Sequence, residues 1–281
     1  MIWKALTILI LVAAILGGTG YFVNEFHFKP KKLDLQEKEA AALPAPTPPP
    51  DPSIAAFETL RPFLESDTPE AQVAIRTFLT DYPESPLAKA ARAALGRING
   101  VLFLSPVPGP EKVTYTVVSG DSLVKIAAKF KTGAELISRA NGLTTINLKI
   151  GQVLEIPQLD TSLVIDRAAS TVTVMNRGEF FREYPIVSLK LPTSATSGTV
   201  QTTVNDRFML KGANRVAFGS KDFDGGERWI LLGTAGLAIR GMPAAGADGV
   251  VPAPPAGIVV STTDAAEISV LVSRGTPVTI R

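Results

Sequence analysis

Apolar and polar positions divide the chain into stretches of different period. Residues 5–23 are apolar throughout and carry no charge. As a helix they span about 28 Å, enough to cross a bilayer. Residues 24–53 lose the pattern: charges come first, then Pro44, Pro46, Pro48, Pro49, Pro50 and Pro52, a composition that gives an extended, stiff spacer. From 54 to 104 the period is helical. Ala71, Ala74, Ile75, Phe78, Leu79 and Tyr82 recur three and four apart, and so do Leu87, Ala91, Ala94, Leu95 and Ile98. Thr68-Pro69 and Ser85-Pro86 each offer a capping hydroxyl followed by a first-turn proline, and Asn99-Gly100 reads as the stop. A second proline-bearing linker, 105–112, follows.

Residues 113–158 change period twice. Tyr115, Val117 and Val118 around Thr116 predict a strand. Ser122 then caps a helix whose apolar face is Leu123, Ile126, Ala127 and Phe130. A second short helix runs from about Gly133 to Ala140, with Leu136 and Ile137 inward, and Asn141-Gly142 ends it. Val153, Leu154 and Ile156 form a closing strand that stops at Pro157. The result is a compact β-α-α-β unit.

Residues 160–281 read as strands. Leu163–Asp166 and Thr171–Met175 alternate, Asn176-Arg177-Gly178 is a hairpin turn, and Glu179–Val187 returns. A helical segment, Thr263–Val272, precedes a last strand over Arg274–Ile280, and Trp229 reads as core. The expected architecture is a β-sandwich or open barrel with little helix. The whole chain is therefore expected to be multidomain α+β.

Composition then removes several classes of chemistry. There is no cysteine, so disulfides, thiolate metal sites and thiol nucleophiles are absent. His27 is the single histidine, so a histidine metal cluster or catalytic triad is not available. Net charge is +2, which argues against a nucleic-acid binder. No cofactor and no metal are expected. Asp222, Asp224 and Glu227 around Gly225-Gly226 suggest a cation loop, but the spacing is not that of an EF-hand, and a solvated turn is the simpler reading. For 1–23, a membrane anchor and a cleaved signal both fit. Gly17, Gly18 and Gly20 suit a peptidase, whereas the length of the apolar run favours the anchor. Lys29, Lys31 and Lys32 would keep the following side in the cytoplasm.

The unit at 113–158 resembles the lysin motif (LysM) family. The resemblance rests on Tyr115-Thr116-Val117, Gly120-Asp121-Ser122-Leu123, Ile126-Ala127, Asn141-Gly142-Leu143 and the run Ile150 to Pro157. It departs at Val124, where the family often has an aromatic residue. The resemblance implies binding to N-acetylglucosamine polymers, chiefly peptidoglycan, in a shallow groove between two loops. By position those loops are Gly120, Asp121, Ser122 and Leu123, and Asn147, Leu148, Lys149 and Ile150. It also implies that the chain beyond residue 23 faces the cell wall, against the lysine count. The implied location is the cytoplasmic membrane, held by residues 5–23. The stretch FLTDYPESPLAKAARAALG resembles a tetratricopeptide-type helical hairpin, which implies a possible envelope protein partner.

The segment 160–281 is similar to the L,D-transpeptidase catalytic domain, through LVIDRAASTVTVMNRGEFFREYPIVS, Thr196–Val200, Ile239-Arg240-Gly241-Met242, Asp264-Ala265 and Gly275–Val278. Counting back from Asp264, the family's cysteine falls on Gly257, its histidine on Pro255 and its arginine on Val259, while an earlier histidine falls on Arg240. A glycine offers no nucleophile and a proline moves no proton. The resemblance therefore implies a domain without the family's chemistry, kept for binding or scaffolding. Two alternatives stand beside it. One is an active cell-wall transpeptidase or hydrolase with a non-thiol nucleophile, with Ser197 or Ser261 served by Lys190. The other is a scaffold that recruits an envelope complex through the helical hairpin.

Overall fold

The computed structural model describes residues 2–25, 51–220, 223, 226–243 and 257–281. They form two compact units, 1–51 and 52–281. In the first, helix α1 (Ile2–Val23) carries exposed apolar side chains along its length. Among the described residues it is the one helix long and apolar enough to cross a membrane, which fits an anchor or a signal segment. His27, Lys29, Lys31, Lys32 and most of the expected linker lie outside the described residues.

The second unit opens with three helices: α2 (Pro52–Leu64), α3 (Pro69–Asp81) and α4 (Ala88–Phe103). The expected spacer therefore yields to helix at Pro52, and the expected hairpin is the later part of a three-helix bundle. Leu60, Ala71, Ile75, Phe78, Ala91, Leu95 and Ile98 fill its core. Thr68 caps α3 as expected, its hydroxyl accepting from the Ala71 amide at 3.3 Å. Ser85-Pro86 does not start α4. The Ser85 hydroxyl instead bonds Ser53 Oγ at 2.8 Å, tying α2 to the turn, and the helix begins at Ala88.

Asn99-Gly100 does not stop α4 either. Asn99 is buried inside the helix, donating to the Phe181 carbonyl at 2.7 Å and accepting from Gln72 Nε2 at 2.7 Å. Gly96 and Gly100 leave room for Arg182, which pairs with Glu267 at 2.8 Å; a Cβ on Gly100 would sit 2.7 Å from Arg182 Nη1. Asn99→Ala leaves the Phe181 carbonyl without that donor in a dry site. It is expected to lower unfolding free energy by about 1–3 kcal/mol, read from the urea midpoint.

The β-α-α-β module follows: β1 (Lys112–Thr116), α5 (Leu123–Lys129), α6 (Ala134–Ala140) and β2 (Val153–Pro157). β1 and β2 pair antiparallel, from Lys112 opposite Pro157 to Thr116 opposite Val153. Val117, Leu123, Ile126, Ala127, Ile137, Leu154 and Ile156 form its own small core.

The remaining strands are β3 (Thr161–Asp166), β4 (Thr171–Asn176), β5 (Glu179–Pro185), β6 (Ser188–Lys190), β7 (Val200–Lys211), β8 (Asn214–Val216), β9 (Glu227–Leu232), β10 (Ala238–Gly241), β11 (Gly257–Val260) and β12 (Pro277–Ile280). They make one sheet in the order β5-β4-β3-β12-β7-β9-β10-β11-β6, with β8 on β7. The end strands β5 and β6 are neighbours in sequence, separated by Ile186 and Val187 alone. A sheet whose two edges are joined by so short a link must curl back on itself, and the result is an open barrel. Helix α7 (Thr262–Leu271), capped by Ser261, buries Ala265, Ile268 and Leu271 in the sheet core. The turn Arg177-Gly178 has positive φ at both residues, as a tight hairpin requires.

Trp229 is not core. Ile230 and Leu232 point inward, so Trp229 faces out, its ring parallel to Phe208 with centroids 6.3 Å apart. Arg215 and Arg240 lie over the outer partners of this stack, at 3.8 Å from Phe208 and 4.2 Å from Trp229.

The module is bound to the sheet through α6. Leu136 belongs to the sheet core, and Phe218 packs on the module's core. Between them Glu135 accepts two hydrogen bonds from Arg228, at 2.7 and 2.8 Å, and pairs with Arg139 at 2.9 Å. Glu135 and Arg228 are both buried.

Candidate functional site

The two loops singled out in the module leave the same end of the β1/β2 ladder. Val117, just past β1, accepts from the Gly151 amide at 2.9 Å and donates to the Gln152 carbonyl at 2.9 Å. The loop 120–123 and the loop 147–150 therefore emerge side by side. Gly120 and Gly151 have φ of 83° and 85°, which L side chains rarely adopt, so both turns depend on glycine.

Asp121 organises the first loop. One carboxylate oxygen accepts from the Val118 amide at 2.9 Å and from the Tyr115 hydroxyl at 2.8 Å. The amide, then the phenol, hold its pKa below the ordinary 3.8. Lys125 Nζ donates to the Gly120 carbonyl at 2.8 Å, and Ser122 caps α5 through the Lys125 amide at 3.3 Å. In the second loop, Gln152 Oε1 accepts from the Lys149 amide at 3.1 Å and Thr145 Oγ1 from the Asn147 amide at 3.1 Å.

The side chains divide unequally. Ser122, Asn147, Lys149 and Ile150 are exposed, Ile150 at 74 %. Leu123 is 3 % exposed and belongs to the core, and Leu148 packs against the same core. These two shape the loops from behind. Val118 and Val153, both exposed beside the paired loop bases, add apolar surface that a search for loop residues passes over, since strand-end valines look like ordinary sheet positions.

The second candidate centre lies on β10 and β11. Gly257 starts β11 with φ 105°, and a Cβ there would sit 2.7 Å from the Ala238 carbonyl oxygen. Val259 is fully buried, and Arg240 is its backbone neighbour across the parallel pair. Pro255 lies outside the described residues, as do Asp222, Asp224 and Gly225. Glu227 accepts from Trp229 Nε1 at 3.4 Å. Among the described residues no group of acidic or histidine side chains is placed to hold a metal.

The strand register sets Lys190 and Ser261 apart. Lys190 stands opposite Gly257 in the β6/β11 pair. Ser261 lies four residues further along that strand, roughly 13 Å away and beyond a lysine's reach. Its hydroxyl is occupied as the α7 cap, accepting from the Asp264 amide at 3.0 Å. Ser197 sits in the turn before β7, where Arg167 donates to the carbonyls of Ala195 and Gly198.

Residues 115–157 match the family model of the LysM domain. Over 43 residues the chain is 51% identical to a probable endopeptidase p60 of Listeria seeligeri and 54% identical to the same-named protein of Listeria welshimeri. Each match covers 15% of this chain and 8% of the relative, so the chain spans under a tenth of the length of these relatives. Similar solved structures include an L,D-transpeptidase from Mycobacterium smegmatis, 18% identical over 47% of this chain and 64% of that one, with a TM-score of 0.31. An L,D-transpeptidase from Stackebrandtia nassauensis is 8% identical over 80% of this chain and 89% of that one, also at 0.31.

Proposed function

We propose that this chain is a membrane-anchored, cell-wall-facing protein that holds peptidoglycan through the loops 120–123 and 147–150. Its C-terminal sheet resembles an L,D-transpeptidase domain without the thiol chemistry, and serves binding or scaffolding. The LysM match over 115–157 carries the glycan reading. The backbone bonds from Val117 to Gly151 and Gln152 support it, because they set the two loops together. Sugars are recognised by fixed backbone donors and acceptors beside small apolar surfaces, and Val118, Ile150 and Val153 supply such surfaces. The helix α1 supports the anchor.

The test is co-sedimentation of the full chain in detergent with purified peptidoglycan sacculi. Asp121→Ala releases both the Val118 amide and the Tyr115 hydroxyl, and is expected to weaken binding roughly tenfold. Binding that survives deletion of residues 115–157, or no binding by the intact chain, would sink the reading. Acidity gives a second check. A depressed carboxylate contributes above its unfolded pKa and loses its effect only as pH falls through its folded pKa. Binding is therefore expected to hold on acidification to the ordinary aspartate value of 3.8 and to weaken only below it.

A further inference from the structure

A cleft of about 910 Å³ lies between the module and the sheet. One wall is α6 and the chain that follows it, with Glu135, Ser138, Arg139 and residues 143–146. The other comes from β7, residues before β9, β9 itself and the first turn of α7, including Phe218, Arg228, Thr262 and Thr263. This is the size of a ligand site rather than a packing defect. Among the described residues its charged lining is two guanidiniums and one carboxylate, because Arg139 and Arg228 share Glu135. Arg207 lies behind the same carboxylate and lines an adjoining pocket with Arg228. Thr262 and Thr263 line the cleft at the positive end of a ten-residue helix.

The cleft borders the groove along the chain. Residues 143–146 line the cleft, and Asn147–Ile150 form the groove's second loop, with no residue between. The turn at Gly219 holds this segment closely: a Cβ there would lie 2.9 Å from Ile146. A polymer lying along 147–150 would carry any side branch onto the residues just before them.

We propose that the cleft takes a short acidic peptide branching from the glycan held in the groove, its carboxylate meeting the guanidinium of Arg139. This deepens the peptidoglycan reading and rests on it. Arg139 is the arginine of the pair that stays partly accessible, with 35% of its side chain exposed against 8% for Arg228. An excess of guanidinium over carboxylate among the described lining residues favours an anionic ligand over a neutral one.

The experiment compares the full chain, in detergent, on intact sacculi and on the same sacculi stripped of their peptides by an amidase. The wild type is expected to bind the peptide-bearing polymer roughly tenfold tighter, the worth of about one charge-assisted hydrogen bond. Arg139→Gln should abolish that preference while leaving binding to bare glycan unchanged. Thr263→Glu provides a second variant. An acidic residue in a helix's first turn favours the helix, yet it places a carboxylate at the cleft and should reduce the preference as well. Equal affinity of the wild type for the two polymers, or a preference that persists in both variants, overturns the cleft. Failure to bind either polymer overturns the groove reading itself.

Discussion

Glu135→Ala is expected to destabilise the 52–281 unit by about 3–5 kcal/mol, the cost of breaking a buried ion pair by removing one partner. The carboxylate accepts both bonds of the Arg228 fork and pairs with Arg139. Without it, Arg228 remains buried at 7% exposure, facing the aromatic ring of Phe223 at 4.6 Å, with Arg139 and Arg207 nearby. Three like charges lose the group that holds them together. The effect should appear as a lower urea midpoint, and as earlier proteolysis between the module and the sheet. The double variant Glu135→Leu with Arg228→Met removes both charges. It should recover most of the loss, because apolar replacement of a whole buried pair is often neutral. A single-variant loss under about 1 kcal/mol, the range of an exposed pair, would show that water reaches the site and that the module is not locked to the sheet.

That lock was not legible in the sequence. Glu135 reads as a first-turn acid beside an apolar face, and nothing local distinguishes a solvated glutamate from one facing an arginine 93 residues away. The same limit explains Asn99-Gly100. By local conformational preference the pair ends helices, but here its amide and its missing side chain are used against β5, and the helix runs through to Phe103. Trp229 misleads in another way. Size suggests burial, whereas strand alternation with Ile230 and Leu232 turns it out of the core.

The elements that were legible are those fixed by their own neighbours. The Ser122 cap, the positive φ of Gly142 after α6 and the Arg177-Gly178 turn are each settled within a few residues. The turn at Gly120 and the bonds to Asp121 belong to this class, since both are local. The curl of the sheet falls between the two classes. Strands were readable one by one, but their order depends on distant pairings such as β12 beside β3.

Gly257→Cys puts a thiol at the start of β11, and it is expected to yield an unstable, inactive protein. The residue has φ 105°, a region where an L side chain costs about 1–3 kcal/mol. Its Cβ would also stand 2.7 Å from the Ala238 carbonyl oxygen, a backbone atom held in the β10/β11 pairing. Relief requires the two strands to part beside Ile239 and Ile258, both fully buried in the sheet core. Thermal unfolding should fall by several degrees relative to the parent, more than for an alanine placed at exposed Gly212. The thiol would still lack an imidazole base from its own domain, since the single histidine of the chain is His27. Mass spectrometry of peptidoglycan fragments incubated with the variant should therefore find no new crosslinks. A stable variant that forms crosslinks would mean that one substitution separates this sheet from an enzyme. The predicted outcome means that the backbone at Gly257, and not only the missing side chain, excludes a thiol there.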